Sequence, residues 1–147
     1  MQRVMAALAA ALTAGVVSAQ TPAGYATAEN PFQGEYAFAL GNAIVIRADV
    51  KGLLLDSVTV STSEEVRAGA TVKCQVRVQG HNRLENKATL KTILLLENGA
   101  GHGIEKLELK PFKAKSARAF DEQQSVEVAG DSLKAAVSVY IFIQGAF

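Results

Sequence analysis

The chain holds few residues that could do chemistry: one cysteine, Cys74, two histidines, His81 and His102, and a glycine-spaced turn, Gly99-x-Gly101-x-Gly103. A reactive thiol needs exposure and nearby positive charge. Cys74 sits on the apolar parity of the segment 71–79, TVKCQVRVQ, where Val72, Cys74, Val76 and Val78 alternate with Lys73, Gln75, Arg77 and Gln79. That parity turns Lys73 and Arg77 away from the thiol, so Cys74 reads as a small core residue. The two histidines fall in loops at opposite ends of a strand, and ten residues of strand span roughly 30 Å. They therefore should not share a metal, and zinc or copper sites need three or more convergent ligands. The glycine turn lacks the following helix and the Lys-Ser/Thr pair of a phosphate loop, so it reads as a flexible hairpin. No G-x-S-x-G or H-E-x-x-H motif occurs. Glu64-Glu65 and Asp121-Glu122 are sequence neighbours in turns, where the carboxylates point apart. No catalytic, cofactor-binding or metal-binding residue is assigned, and the expectation is that the chain is not an enzyme.

What remains are surfaces that could touch something. Lys110, Lys113 and Lys115, with Lys106 and Arg118, form the densest positive region. This is either a solvated edge kept soluble by lysines or a docking stripe for an acidic partner, polysaccharide or lipid headgroup. Residues 20–34, QTPAGYATAENPFQG, hold two of the three prolines and read as a flexible arm or linker. If that arm lies along a partner, Tyr25, Phe32 and Tyr36 are its anchors. The last segment, 133–144, is apolar on both parities, with Val137, Val139, Ile141 and Ile143 on one and Tyr140 and Phe142 on the other. It is a central strand, or one of its faces is a subunit interface. His81, Asn82, Arg83 and His102 are the loop residues a ligand would meet.

The elements that must position these residues are strands. Residues 43–50 alternate, Gly52 breaks the run, and 53–62 resume it. Asp56 falls on the inward parity of that run, at a strand end or a bulge. Residues 80–87, GHNRLENK, read as a polar loop. Residues 88–97 place Leu90, Thr92, Leu94 and Leu96 on one face and Ile93 and Leu95 on the other, as in a central strand or one with a covered second face. Asn98-Gly99 opens a tight reversal. Residues 104–110 alternate, Pro111 ends them, 112–120 are mixed and basic, and 123–128 form a short strand. About seven strands at spacings of roughly ten to fifteen residues, with no helical period, predict an all-β, antiparallel two-layer sandwich over residues 35–147.

Val66-Arg67-Ala68-Gly69-Ala70-Thr71, then strict alternation, then Gly80-His81-Asn82, resemble the Gly-containing turn, strand and Asn-bearing loop of immunoglobulin-like bacterial domains. The resemblance covers about forty residues. It implies an immunoglobulin-like sandwich and no activity. The family's inter-sheet disulfide and core Trp are missing, since Cys74 is alone and the chain has no Trp.

Residues 1–19 read as a cleaved signal peptide: a basic start, an apolar run over 4–17, and Val17-Ser18-Ala19 before a cut at Gln20. The run is too short for the roughly twenty residues of a membrane-crossing helix, and no transmembrane helix is expected elsewhere. The chain is then exported, to the periplasm or cell surface, with peripheral envelope association allowed. Losing Arg3 leaves 14 basic against 14 acidic side chains, which argues against nucleic acid as a partner. At 6% aromatics and no Trp, the chain lacks the girdles of an outer-membrane barrel. The expectation is an exported, non-enzymatic sandwich acting through protein contact or as a homo-oligomer, a structural or accessory subunit of an envelope assembly. The alternative is a carbohydrate- or ligand-binding module using the inter-strand loops.

Overall fold

The computed structural model describes residues 20–147, so the expected signal peptide lies outside the described residues. The described chain is all-β apart from one short helix, and it forms two sheets. The first sheet is ordered β1 (Ala26–Thr27), β3 (Ile44–Val50), β4 (Leu53–Ser61), β5 (Thr71–Asn82) and β9 (Arg118–Ala129). The second is ordered β2 (Phe32–Ala37), β10 (Ser138–Ala146), β6 (Ala88–Glu97) and β7 (Gly103–Glu108), with β8 (Phe112–Ala114) also paired to β6. All pairings are antiparallel except β1 with β3. Among the described residues no helix is long and apolar enough to cross a membrane.

Alternation explains the core. Val72, Cys74, Val76 and Val78 of β5 are buried, while Lys73, Gln75 and Arg77 are exposed. Leu90, Thr92, Leu94 and Leu96 of β6 and Val139, Ile141 and Ile143 of β10 are buried in the same cluster. The two sheets therefore share one hydrophobic core built from their inward parities. The Cys74 thiol is fully buried and free, and burial pushes its pKa up. The Thr92 hydroxyl is buried with no hydrogen-bond partner among the described residues.

The described residues form ten strands, more than the seven the alternation suggests. Two of the extra strands lie in residues 20–37. Instead of trailing free, this segment is laid along the sheets. Ala26 and Thr27 register with Ala48 and Asp49, Ala28 N donates to Asp49 O at 2.9 Å, and Phe32 enters the core. Asn30 holds Gly145 by two hydrogen bonds, Nδ2 to the carbonyl at 2.9 Å and Oδ1 from the amide at 3.0 Å. The Asn30–Pro31 peptide is cis.

Three further boundaries differ from the alternation pattern. β5 runs through Gly80 to Asn82, because this glycine is a close approach and not a break. A Cβ there would lie 2.1 Å from Leu54 O and 2.5 Å from the Phe120 ring. Opposite it, β4 bulges between Leu55 and Ser57, which places Asp56 in the bulge. Residues 112–120, mixed and basic in sequence, hold β8 and the start of β9. Phe112 and Phe120 are both buried, their ring centroids 6.0 Å apart, and β8 pairs with β6. The last strand starts at Ser138, after α1 (Gly130–Ala135), whose Leu133 is buried.

Candidate functional site

The candidate residues fall into two places. The first is built by the amino-terminal segment against β3 and β4. Here a bulge separates Val45 from Ala48, and Arg47 takes a φ of 54°. Its guanidinium lies 5.5 Å from the centre of the Tyr25 ring. The Tyr25 hydroxyl donates to Asp56, the bulge residue of β4. That hydrogen bond raises the Tyr25 pKa, with burial and the Asp56 charge adding to it and Arg47 opposing. Tyr25, Arg47 and Asp56 line an open cleft of about 350 Å³ with Val45, Ser57 and Gln79.

On the same segment lies a larger cavity of about 640 Å³, lined by Thr21, Thr27, Ala28 and Glu29 of the segment, Asp49 of β3, Lys51 and Gly52 of the β3–β4 turn, and Arg83, Leu84 and Glu85 after β5. Asp49 is only 3% exposed. Its two oxygens are held apart in role: Oδ1 accepts from Gly52 N at 2.8 Å and Oδ2 accepts from the Thr21 hydroxyl at 2.9 Å. The Thr21 and Thr27 hydroxyls are 2.7 Å apart. Gly52, at φ +95°, supplies the left-handed turn that lets its amide face Asp49. Arg83 Nη1 donates to Gln20 O at 2.9 Å. Asp49 and both threonines carry no motif, so nothing in the sequence alone singles them out.

The second place is the outer face of the second sheet. β10 and β6 register Tyr140 with Leu95 and Phe142 with Ile93. These four side chains form a contiguous half-buried block on the face away from the core. Glu35 and Gln33 of β2 border it on one side, and Lys106 and Glu108 of β7 on the other. The Tyr140 hydroxyl donates to Gln33 Oε1. Lys106 and Glu108 are an exposed pair at 3.4 Å. Glu35 lies beside Glu97, and a hydrogen bond between the carboxyls, reinforced by their like charge, raises the Glu35 pKa. Ser138 donates to Glu97 Oε1 at 3.0 Å.

The residues singled out from sequence are divided among these places, the core and exposed positions elsewhere. Tyr140 and Phe142 belong to the sheet face. Tyr25 walls the smaller cleft, so it is engaged within the chain. Phe32 is 7% exposed and Tyr36 packs half-buried against the core, with burial raising its pKa, so neither is a free anchor. Of the ligand-loop group, only Arg83 lines the large cavity. Asn82 is fully buried: Nδ2 donates to Asn86 O and Ala114 O, each at 3.0 Å, and Oδ1 accepts from Leu84 N at 2.9 Å. It holds the loop after β5 and has no face for a ligand. His81 is half-buried within β5, and His102 is exposed in the turn before β7, on the other sheet. Lys110, Lys113 and Lys115 are exposed. The Lys110 backbone is clamped by Gln124, whose amide accepts from its N–H and donates to its carbonyl, each at 2.8 Å. Lys113 and Lys115 border a small cleft of about 320 Å³ together with Arg118, Asp121 and Glu122, so the basic stripe is interleaved with carboxylates. Among the described residues no group of three or more His, Cys, Asp or Glu could hold a metal ion. Compared with protein-family models and with curated proteins, the chain matches none.

Proposed function

We propose that this chain is an exported, non-enzymatic sandwich of immunoglobulin-like type that works by protein contact, as a structural or accessory subunit of a periplasmic or cell-surface assembly. The observation that carries this reading is the block of Ile93, Leu95, Tyr140 and Phe142 on the outer face of the second sheet. An antiparallel sheet with one solvated face normally alternates apolar with polar residues. Here the centre of the outer face is apolar and only its border is charged, the arrangement of a contact patch with a polar rim. The test is a photo-crosslinking side chain placed at position 95, with position 123 on β9 as the control, in cells that export the chain. The reading expects a discrete crosslinked product at 95 and none at 123. No product at 95 at any growth stage overturns it.

A second reading, binding of a small polar ligand, is favoured by the 640 Å³ cavity with its buried Asp49 carboxylate. Its size is that of ordinary small-molecule sites. Carboxylate, hydroxyl and guanidinium groups around one cavity suit a polyhydroxyl ligand such as a sugar. Titration with a set of neutral monosaccharides and disaccharides, read by melting temperature, checks it. A rise that Asp49→Asn abolishes supports this reading, and no rise at millimolar sugar removes it.

A further inference from the structure

The outer face of the second sheet is complementary to a second copy of itself. Same-face residues run across the four strands in rows. The first is Ala37–Ser138–Glu97–Gly103, the second Glu35–Tyr140–Leu95–Lys106, and the third Gln33–Phe142–Ile93–Glu108; Gln144–Lys91 follows on the two central strands. Consider a two-fold axis parallel to the strands and lying between β10 and β6. It lays β2 of one copy over β7 of the other, and β10 over β6, so every row meets its own reverse. Ala37 then meets Gly103, the Ser138 hydroxyl meets the Glu97 carboxylate, and Gln33 meets Glu108. Tyr140 and Phe142 meet Leu95 and Ile93. Glu35 meets Lys106, Gln144 meets Lys91, and no like charges oppose each other. We propose that this face is an isologous homodimer interface in which Glu35 of each copy pairs with Lys106 of the other across the Tyr140–Phe142–Leu95–Ile93 block.

An axis across the strands would also oppose unlike charges, setting Lys106 over Glu108 and Glu97 over Lys91. It would leave Glu35 over Gln33, with no cation, although Glu35 already lies beside Glu97. Only the axis along the strands sets Glu35 opposite Lys106, so only it predicts that reversals at these two positions compensate each other, which the double variant tests. The patch is small. Four strands about 4.8 Å apart and four rows about 7 Å apart give a footprint of roughly 400–500 Å². That is the low end of specific interfaces, so the dimer is a weak one in exchange with monomer.

The proposal rests on the contact reading above and narrows it to one occupant. Sedimentation velocity of the purified protein between about 1 and 200 µM tests it, the range in which a small interface should titrate. Wild type is expected to show a monomer–dimer equilibrium within that range. Glu35→Lys and Lys106→Glu, each alone, are expected to weaken dimerisation at least about tenfold, because each sets like charges opposite. The double variant Glu35→Lys/Lys106→Glu restores it, and so does mixing the two single variants, since the mixed pair carries one attractive contact at each end. All these positions are exposed, so melting temperatures stay within a few degrees and folding is not in question. Monomer at every concentration overturns the proposal, and so does a dimer indifferent to both reversals. Monomer in solution with a position-95 crosslink to a different protein removes the second copy as occupant and leaves the contact reading standing.

Discussion

Asn82→Asp separates a structural residue from a ligand contact without changing the size of the side chain. In the native structure the Asn82 amide nitrogen donates to two carbonyls, Asn86 O and Ala114 O, and its oxygen accepts from Leu84 N. The substitution turns the donor into an acceptor at a site with no solvent exposure. An ionised carboxyl would face two carbonyl oxygens, so the introduced group favours its protonated form. One O–H then satisfies one carbonyl and orphans the other. An unsatisfied buried group costs about 1–3 kcal/mol, and forcing protonation at pH 7 adds to that. The total is about 2–4 kcal/mol, or a melting temperature lower by roughly 6–16 °C in a domain of this size. The introduced carboxyl has a folded pKa above its unfolded one. The loss is therefore largest near pH 8 and shrinks as pH falls towards the unfolded value near 4. Urea unfolding at pH 5 and pH 8 reads both effects. A variant within 0.5 kcal/mol of wild type at pH 8 would refute the assignment of Asn82 to the fold; that threshold is about half the net worth of one hydrogen bond.

Four more outcomes follow from the same contacts. Gly80→Ala drives a Cβ to 2.1 Å from Leu54 O, and unfolding should show a loss of about 2 kcal/mol or more, the overpacking range. Thr92→Val replaces an unpartnered buried hydroxyl by a methyl of the same shape, and should leave stability unchanged or raise it by about 1 kcal/mol in urea titration. Glu97→Gln gives Glu35 an amide donor in place of a carboxylate. Because the Glu35 pKa is raised in the fold, its stabilising influence is lost as pH rises, so the variant should melt higher than wild type at pH 7 and no higher at pH 3. Arg77 holds Asp121 by paired hydrogen bonds, Nε to Oδ1 at 2.8 Å and Nη2 to Oδ2, and lowers the Asp121 pKa. That contribution is present above the usual carboxylate value and lost as pH falls through the lowered one. Arg77→Ala should lower the melting temperature slightly at pH 7 and leave it unchanged at pH 2.

The sequence made the long strands legible because their cores are local patterns. The period-two run around Cys74 is β5, the doubly apolar runs are β6 and β10, and the misplaced parity of Asp56 marks a bulge. It hid what depends on distant partners. β1 is two residues held by a parallel pairing to β3, and nothing in residues 20–34 announces a carbonyl on Asp49 waiting for Ala28 N. Gly80 looks like a break because a close approach of Phe120 and Leu54 leaves no mark in one strand's sequence. Asn82 looks like a loop polar group because its acceptors come from Asn86 and Ala114, the latter on another strand. The apolar outer face of the second sheet was half visible. Tyr140 and Phe142 stand out by parity, but their neighbours Ile93 and Leu95 become neighbours only through the β10–β6 register. The Asp49 cavity was invisible, since it exists only once the amino-terminal segment closes over the β3–β4 turn.

The central claim is that the outer face of the second sheet is where this chain meets protein. The direct measurement is the size of the chain after chemical crosslinking in intact cells that make it, comparing wild type with Leu95→Lys by denaturing gel and immunodetection. Leu95 is half-buried on an outer face, so the variant keeps its fold and its melting temperature within a few degrees. The account predicts a larger crosslinked species for wild type and monomer for the variant. The same larger species from both, or none from either, would contradict it.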